Sequence, residues 1–349
     1  MSQRKPNIIY IMADDHAANA ISLYKSRLSS VFKTPNIDRI GKEGAILNNC
    51  HCTNAICTPS RATILTGQYS HVNGVKTLSD SLDTDLTTFP LLLQEDNYQT
   101  AIVGKWHVHS EPQGFDYYDI LPGQGVYFEP YFIDNSFNWP DHGYPEGKMH
   151  RGYVTDLITD KCIDRLDNRD KEKPFMLMCH HKAPHDFFEY HPRDENLFYD
   201  IEIPEPQSLF EDKSHRSVGS LGYGTTVSED NPRRNYIKHF SDPEYPTGTL
   251  DFSDLDAKEK AKKAYQKYLK DYLRCIKGID DNVGRLLDYL DSEGLTKNTI
   301  VVYTSDQGMF LGEHDYIDKR WIFEEALQMP FLIRYPQEIK EGTVVDDII

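Results

Sequence analysis

The stretch Cys57-Thr58-Pro59-Ser60-Arg61, running on into Ala62-Thr63-Ile64-Leu65-Thr66-Gly67, has the residue types of a nucleophile at the entrance of a short helix. Pro59 suits a first turn, where its missing N–H costs nothing. The free N–H groups of that turn would face an anion beside Cys57. Arg61 lies four residues on, the spacing that returns to the same helix face, and Gly67 suits the helix end. A nucleophile, a helix N-terminus and an arginine together describe a site for a tetrahedral oxyanion ester. On these five residues alone, Cys57 also reads as a small buried hydrophobe. Cys50, His51, Cys52 and Cys57 cluster as well, but their spacing is not that of a standard zinc site and no second cysteine pair follows.

Further reactive side chains stand where short apolar runs stop. Asn7–Met12 reads as a strand buried on both faces, and it ends in Ala13-Asp14-Asp15-His16. Adjacent carboxylates past a central strand occupy the place where open α/β sheets bind ligands. They repel unless a cation sits between them, and hard divalent ions take such oxygens. A solvated turn with an N-cap aspartate is the other reading. The run Gln99–Val103 leads into Gly104-Lys105-Trp106-His107, where Lys105 and His107, two apart, could face one ligand. Lysine is a point-charge anchor for an oxyanion, and His107 could move a proton; an exposed basic loop is the alternative. Pro174–Cys179 ends in His180-His181-Lys182-Ala183-Pro184-His185. Thr299–Thr304 ends in Ser305-Asp306-Gln307-Gly308, with Gly312-Glu313-His314-Asp315 and Lys319 beyond. Asp306 and Gln307 would complete a cation site begun by Asp14 and Asp15. Pro330–Tyr335 is a fifth strand.

These exits need elements to position them. Helices are expected at Thr34–Ile40, around Thr88–Glu95 and at Tyr153–Leu166. A long amphipathic helix carries Ala261, Ala264, Tyr265, Tyr268, Leu269, Tyr272, Leu273, Ile276 and Ile279, a stripe read as core packing with no function attached. Gly114–Tyr144, rich in Gly, Pro, Tyr and Phe, reads as ordered loop rather than regular structure. Residues 186–254 are the least regular and read as a substrate-facing insertion.

Composition narrows the function classes. The 349 residues suffice for a full core, and 39% hydrophobic with 27% charged residues is ordinary for a globular chain. A net charge of −17 argues against nucleic acid as a partner, but a local cleft can still hold an anion. No apolar run reaches membrane-spanning length, so no membrane partner is expected. Met1-Ser2-Gln3-Arg4-Lys5-Pro6 has no apolar signal core. The expected location is therefore cytoplasmic if Met1 is the native start, or periplasmic or secreted if a leader has been removed. The six cysteines form no regular framework, so no essential disulfide is expected.

The ordered set of an Asp-Asp after the first strand, Cys-x-Pro-Ser-Arg, Gly-Lys-Trp-His, a Pro-His after a strand, and Asp-Gln-Gly followed by Gly-Glu-His and Lys resembles the sulfatase family of the alkaline-phosphatase superfamily. The likeness runs from Asn7 to Tyr335. Leu121-Pro122-Gly123-Gln124-Gly125 and His180–His185 further resemble bacterial carbohydrate sulfatases acting on N-acetylglucosamine 6-sulfate. The resemblance implies that Cys57 is oxidised to formylglycine by a formylglycine-generating enzyme, and that its hydrate is the nucleophile. It implies one divalent cation, calcium in most of the family, held by Asp14, Asp15, Asp306, Gln307 and the modified Cys57. It implies that Arg61 stabilises the diol, Lys105 and Lys319 grip sulfate oxygens, His107 assists the diol and His185 protonates the leaving alcohol.

The expected fold is a three-layer α/β/α sandwich around a mixed, largely parallel sheet, forming one catalytic domain over 1–349. Relatives continue into a smaller C-terminal subdomain, so the expectation is a chain truncated before it. The expected reaction is hydrolysis of a sulfate monoester on a carbohydrate. A phosphonate or phosphate monoester hydrolase of the same superfamily and a non-catalytic sulfated-sugar-binding relative are the alternatives.

Overall fold

All five expected strands lie side by side in the computed structural model, which describes residues 5–140 and 143–349. In chain order the strands are β1 (Asn7–Ala13), β2 (Ala45–His51), β3 (Gln99–Lys105), β4 (Tyr117–Leu121), β5 (Tyr131–Asp134), β6 (Lys148–Met149), β7 (Phe175–His181), β8 (Thr225–Thr226), β9 (Thr299–Ser305), β10 (Phe310–Leu311), β11 (Tyr316–Asp318), β12 (Gln328–Arg334) and β13 (Thr343–Ile348). Among the described residues the main sheet runs β13-β2-β12-β9-β1-β7-β3-β4-β5-β6, and β10-β11-β8 form a small separate sheet. The central β9, β1, β7 and β3 are mutually parallel. Only β12 among the expected five runs against its neighbours, so the sheet is mixed and largely parallel.

Alternation along the strands divides the core between two helical layers. Ile9, Ile11, Val103, Leu177 and Cys179 share one cluster with the helix Ala257–Ser292 and the helix Val154–Asp167. Ile102, Met176 and Met178 share the opposite one with Ala62 and Leu65 of the helix Cys57–Thr66. This is the expected three-layer sandwich. No helix among the described residues is long and apolar enough to cross a membrane. All six cysteines are buried thiols. Cys50 and Cys52 pack with Phe310 and Met329 rather than gathering ligands.

The loop expectation for Gly114–Tyr144 is corrected: it contains β4 and β5, the first paired in parallel with β3 and the second antiparallel to β4. Its aromatic residues are strand formers whose rings fill the core, as with Tyr118 and Phe132. Residues 186–254 hold only short pieces, including β8 and the helix Tyr236–Phe240. β8 pairs with β11, which ties this segment to the loop that carries Lys319.

Candidate active site

Register places the chemistry. Ala13 lies opposite His181 on one side and Ser305 on the other, and Gly104 lies opposite His180. The four central strands therefore end together, and Asp14, Lys105, the His180–His185 segment and Asp306 leave from one edge, the ligand-binding edge of such sheets. Cys57 is the first residue of its helix, with Ile56 before it extended and making no side-chain cap. The first-turn N–H groups are thus left for another acceptor. Gly67 closes that helix in the left-handed region at φ 66°, its N–H donating to Thr63 C=O at 2.8 Å.

Three buried carboxylates form the floor. One oxygen each from Asp14, Asp15 and Asp306 lie within 4.8 Å of one another. Asp15 N–H donates to Asp306 Oδ1 at 3.2 Å. Among the described residues, Asp14 Oδ1 and Gln307 Oε1 are buried without a hydrogen-bond partner. Gln307 Nε2 touches Cys57 Sγ at 3.9 Å and also donates to Asp15 Oδ1. Two orphaned oxygens beside clustered carboxylates fit a hard cation, which takes oxygen ligands. Burial and the Asp14 carboxylate push Asp306 up to about 7. Burial also acts to raise Asp14, but Lys105, His185 and Arg61 hold it well below the usual range.

Cations ring this floor. Arg61 Nε donates to Asp306 Oδ2 at 2.9 Å and Nη1 to Lys105 C=O at 2.7 Å. Lys105 Nζ is fully buried on Asp14 Oδ2 and donates to Gln124 Oε1 at 2.5 Å. Lys319 Nζ sits 2.5 Å from Asp15 Oδ2. One ligand atom each from Asp14, Cys57 and His185 lie within 4.8 Å of one another. His185 Nδ1 is 2.7 Å from Asp186 Oδ1 and Nε2 is 3.8 Å from Asp15 Oδ2. Burial first, then the Asp14 carboxylate, push the Cys57 thiol well above its ordinary value.

His107 does not follow the strand argument made for it. β3 ends at Lys105 and His107 turns to φ 55°, so alternation no longer relates the two side chains. Its ring is buried 5.2 Å from that of His109, with Nδ1 unpaired among the described residues. Burial and Lys105 keep it neutral. Gln124, Asp186 and Tyr272 escaped the reading of site residues. Tyr272 lies on the long helix, where its hydroxyl accepts from Ala17 N–H at 2.9 Å and donates to Asp15 C=O at 2.8 Å. Leucine would serve a purely apolar stripe, so tyrosines at 265, 268 and 272 were the available signal.

The sulfatase family profile matches residues 6–348. The chain belongs to the sulfatase family. An N-acetylglucosamine-6-O-sulfatase of Bacteroides thetaiotaomicron is 42% identical over 97% of this chain. The chain spans 64% of that relative's length. The solved structure of BT4656 in complex with its substrate D-glucosamine-2-N,6-O-disulfate superposes with a TM-score of 0.87 at 40% identity, covering 98% of this chain and 74% of that one. A phosphonate monoester hydrolase from Silicibacter pomeroyi shares the fold at TM-score 0.69 and 19% identity, covering 98% of this chain and 70% of that one. This sulfatase-family chain thus has the alkaline-phosphatase-like sandwich expected of it.

Proposed function

We propose that this sulfatase-family chain hydrolyses a sulfate monoester on a carbohydrate, the 6-sulfate of an N-acetylglucosamine-type sugar. The observation that carries the reading is the meeting of Cys57, Asp14 and His185 within 4.8 Å at a helix N-terminus. The 42% identity to an N-acetylglucosamine-6-O-sulfatase supports the substrate class. Cys57 as a protonated, buried thiol is a poor nucleophile, which favours its conversion to formylglycine during maturation. The hydrate of that aldehyde would offer one hydroxyl as nucleophile toward sulfur and a second to help release sulfate. Asp14, Asp15, Asp306, Gln307 and the modified Cys57 would hold a calcium ion, which would supply Lewis-acid polarisation of the sulfate.

The remaining work falls to side chains. Arg61 is held on two partners, so its guanidinium keeps the Cys57 end of the helix and the Asp306 loop in one arrangement. Lys105 and Lys319 place two ammonium groups on opposite carboxylates of the floor, where they meet the charge that shifts onto sulfate oxygens. His185 is oriented through Nδ1 by Asp186, leaving Nε2 to give its proton to the sugar oxygen as the S–O bond breaks. His107, neutral and enclosed, assists at the Cys57 side. The 186–254 segment is the substrate-facing part, since Asp186, Phe187 and Tyr236 line the cavity above Lys319.

The test is product release, with sulfate and phosphate quantified separately. The protein is co-expressed with a formylglycine-generating enzyme and given calcium, sulfated sugars and matched phosphate esters. Sulfate release that disappears in Cys57→Ala is the expected result. Preferred phosphate release would move the chain to a phosphate or phosphonate ester hydrolase, and binding without turnover by a chain with oxidised Cys57 would make it a sugar-binding relative.

A further inference from the structure

Above the reaction centre lies a cavity of about 320 Å³, the scale of a single small ligand. Its wall joins Asp15, His185 and Lys319 to Asp186, Asp318 and Arg320, and on the far side to Arg233 and Arg234. Charge accounting within this wall is uneven. Asp15 is paired with Lys319 at 2.5 Å, Asp186 with His185 at 2.7 Å, and Asp318 with Arg320 at 3.0 Å. Each carboxylate has a lysine, arginine or imidazole partner. Arg233 and Arg234 have no carboxylate partner among the described residues, in a chain with 55 acidic against 38 basic residues. His239, also in the wall, is driven toward neutrality by burial.

The backbone that presents the two arginines is pinned. Asn231 Oδ1 accepts from the N–H groups of Arg233 and Arg234 at 3.0 and 3.4 Å, and its Nδ2 donates to Gly224 C=O at 2.5 Å. Asn235 Nδ2 donates to Asn231 C=O at 2.8 Å, and Arg234 C=O accepts Thr226 N–H at 3.1 Å. Asn231 and Asn235 are buried while both arginines are exposed. The N–H groups of both arginines are thus bonded within the turn, and two cationic forks line the cavity. Presentation on a fixed turn lowers the ordering cost of binding, and a guanidinium matches the flat face of three oxyanion oxygens.

We propose that Arg233 and Arg234 bind a second anionic substituent of the same sugar, so that the chain selects doubly sulfated over singly sulfated substrates. The inference rests on the reading of the site as a carbohydrate sulfatase. The pair acts on specificity and takes no part at sulfur, since its contact is with a group that does not react.

The experiment compares the matured, calcium-loaded protein with Arg233→Ala, Arg234→Ala and the double variant. The two probes are glucosamine-2-N,6-O-disulfate and N-acetylglucosamine 6-sulfate. The double variant is expected to raise KM for the disulfated sugar at least tenfold with kcat within about twofold. KM for the monosulfated sugar should change less than about twofold, and the preference should shrink with added salt. Equal effects on both sugars, or none on either, would overturn the proposal while leaving the sulfatase reading intact. Absence of sulfate release from any sugar would instead strike the sulfatase reading. Calorimetric binding of both sugars to Cys57→Ala, with and without the arginine pair, then decides the inference by itself. Arginine-dependent affinity confined to the disulfated sugar supports it, and any other pattern refutes it.

Discussion

At the scale of single residues, Arg61 is the side chain with the most to lose by a change of shape. Its fork reaches Asp306 Oδ2 and Lys105 C=O together, with Asp14 Oδ1 3.5 Å from Nη2. A lysine keeps the charge but has one compact ammonium and no fork. Arg61→Lys is therefore expected to lower kcat about 10²-fold or more, while circular dichroism shows the same fold; near-normal kcat would contradict the role given to the fork. The carboxylate floor makes a second prediction. A cation that binds only the folded chain stabilises it by roughly 2.7 kcal/mol at a hundred times its dissociation constant. Calcium should raise Tm by several degrees and a chelator should lower it. Asp306→Asn should shrink that shift, because it removes one of three clustered negative charges. A Tm indifferent to calcium in both proteins would argue against a site there.

At the scale of elements, the helix Ala257–Ser292 does more than fill the core. Tyr265, Tyr268 and Tyr272 donate to Pro204 C=O at 2.5 Å, Phe310 C=O at 2.7 Å and Asp15 C=O at 2.8 Å. One helical face thus ties the insertion, the Lys319 loop and the first carboxylate exit to a single rod. Tyr272→Phe would leave buried Ala17 N–H without its acceptor. The expected cost is about 1–3 kcal/mol of stability, with a fall in calcium affinity as Asp15 loosens. Urea unfolding and calcium titration measure the two, and an unchanged affinity would confine Tyr272 to packing. That stripe was visible in the sequence as periodicity, but its hydroxyl partners lie up to 257 residues away and leave no local mark. The strand exits were legible for the opposite reason. Asn7–Ala13 and Thr299–Ser305 are short apolar runs with abrupt polar ends, a purely local pattern. β2 and β13 were not legible, because Asn48 and Asn49, like Asp346 and Asp347, break the apolar pattern of strands that pair with each other near the sheet's edge.

At the scale of the whole molecule, burial of neutral imidazoles sets an acid limit. Burial pushes His16 down to about 3, and His107 and His180 are likewise held below their ordinary value. Each takes up a proton more readily in the unfolded chain, so stability is full above about pH 6.5 and declines as pH falls below it. Tm should drop progressively between pH 7 and 5, and a flat profile would show these rings to be solvated. The sheet order also has a history in it. β1 is flanked by β7 and β9, and the groups that enclose Cys57 include Gln307, 250 residues downstream. At about 5–20 residues per second, a ribosome needs roughly 12–50 seconds to cover that interval. For that long the cysteine cannot be enclosed by its final neighbours, whereas in the finished fold it is 1% exposed. The proposed oxidation of Cys57 would thus be a race between the modifying enzyme and the arrival of residue 307. Slower translation should raise the fraction of active molecules, and a modifying enzyme added after folding should arrive too late.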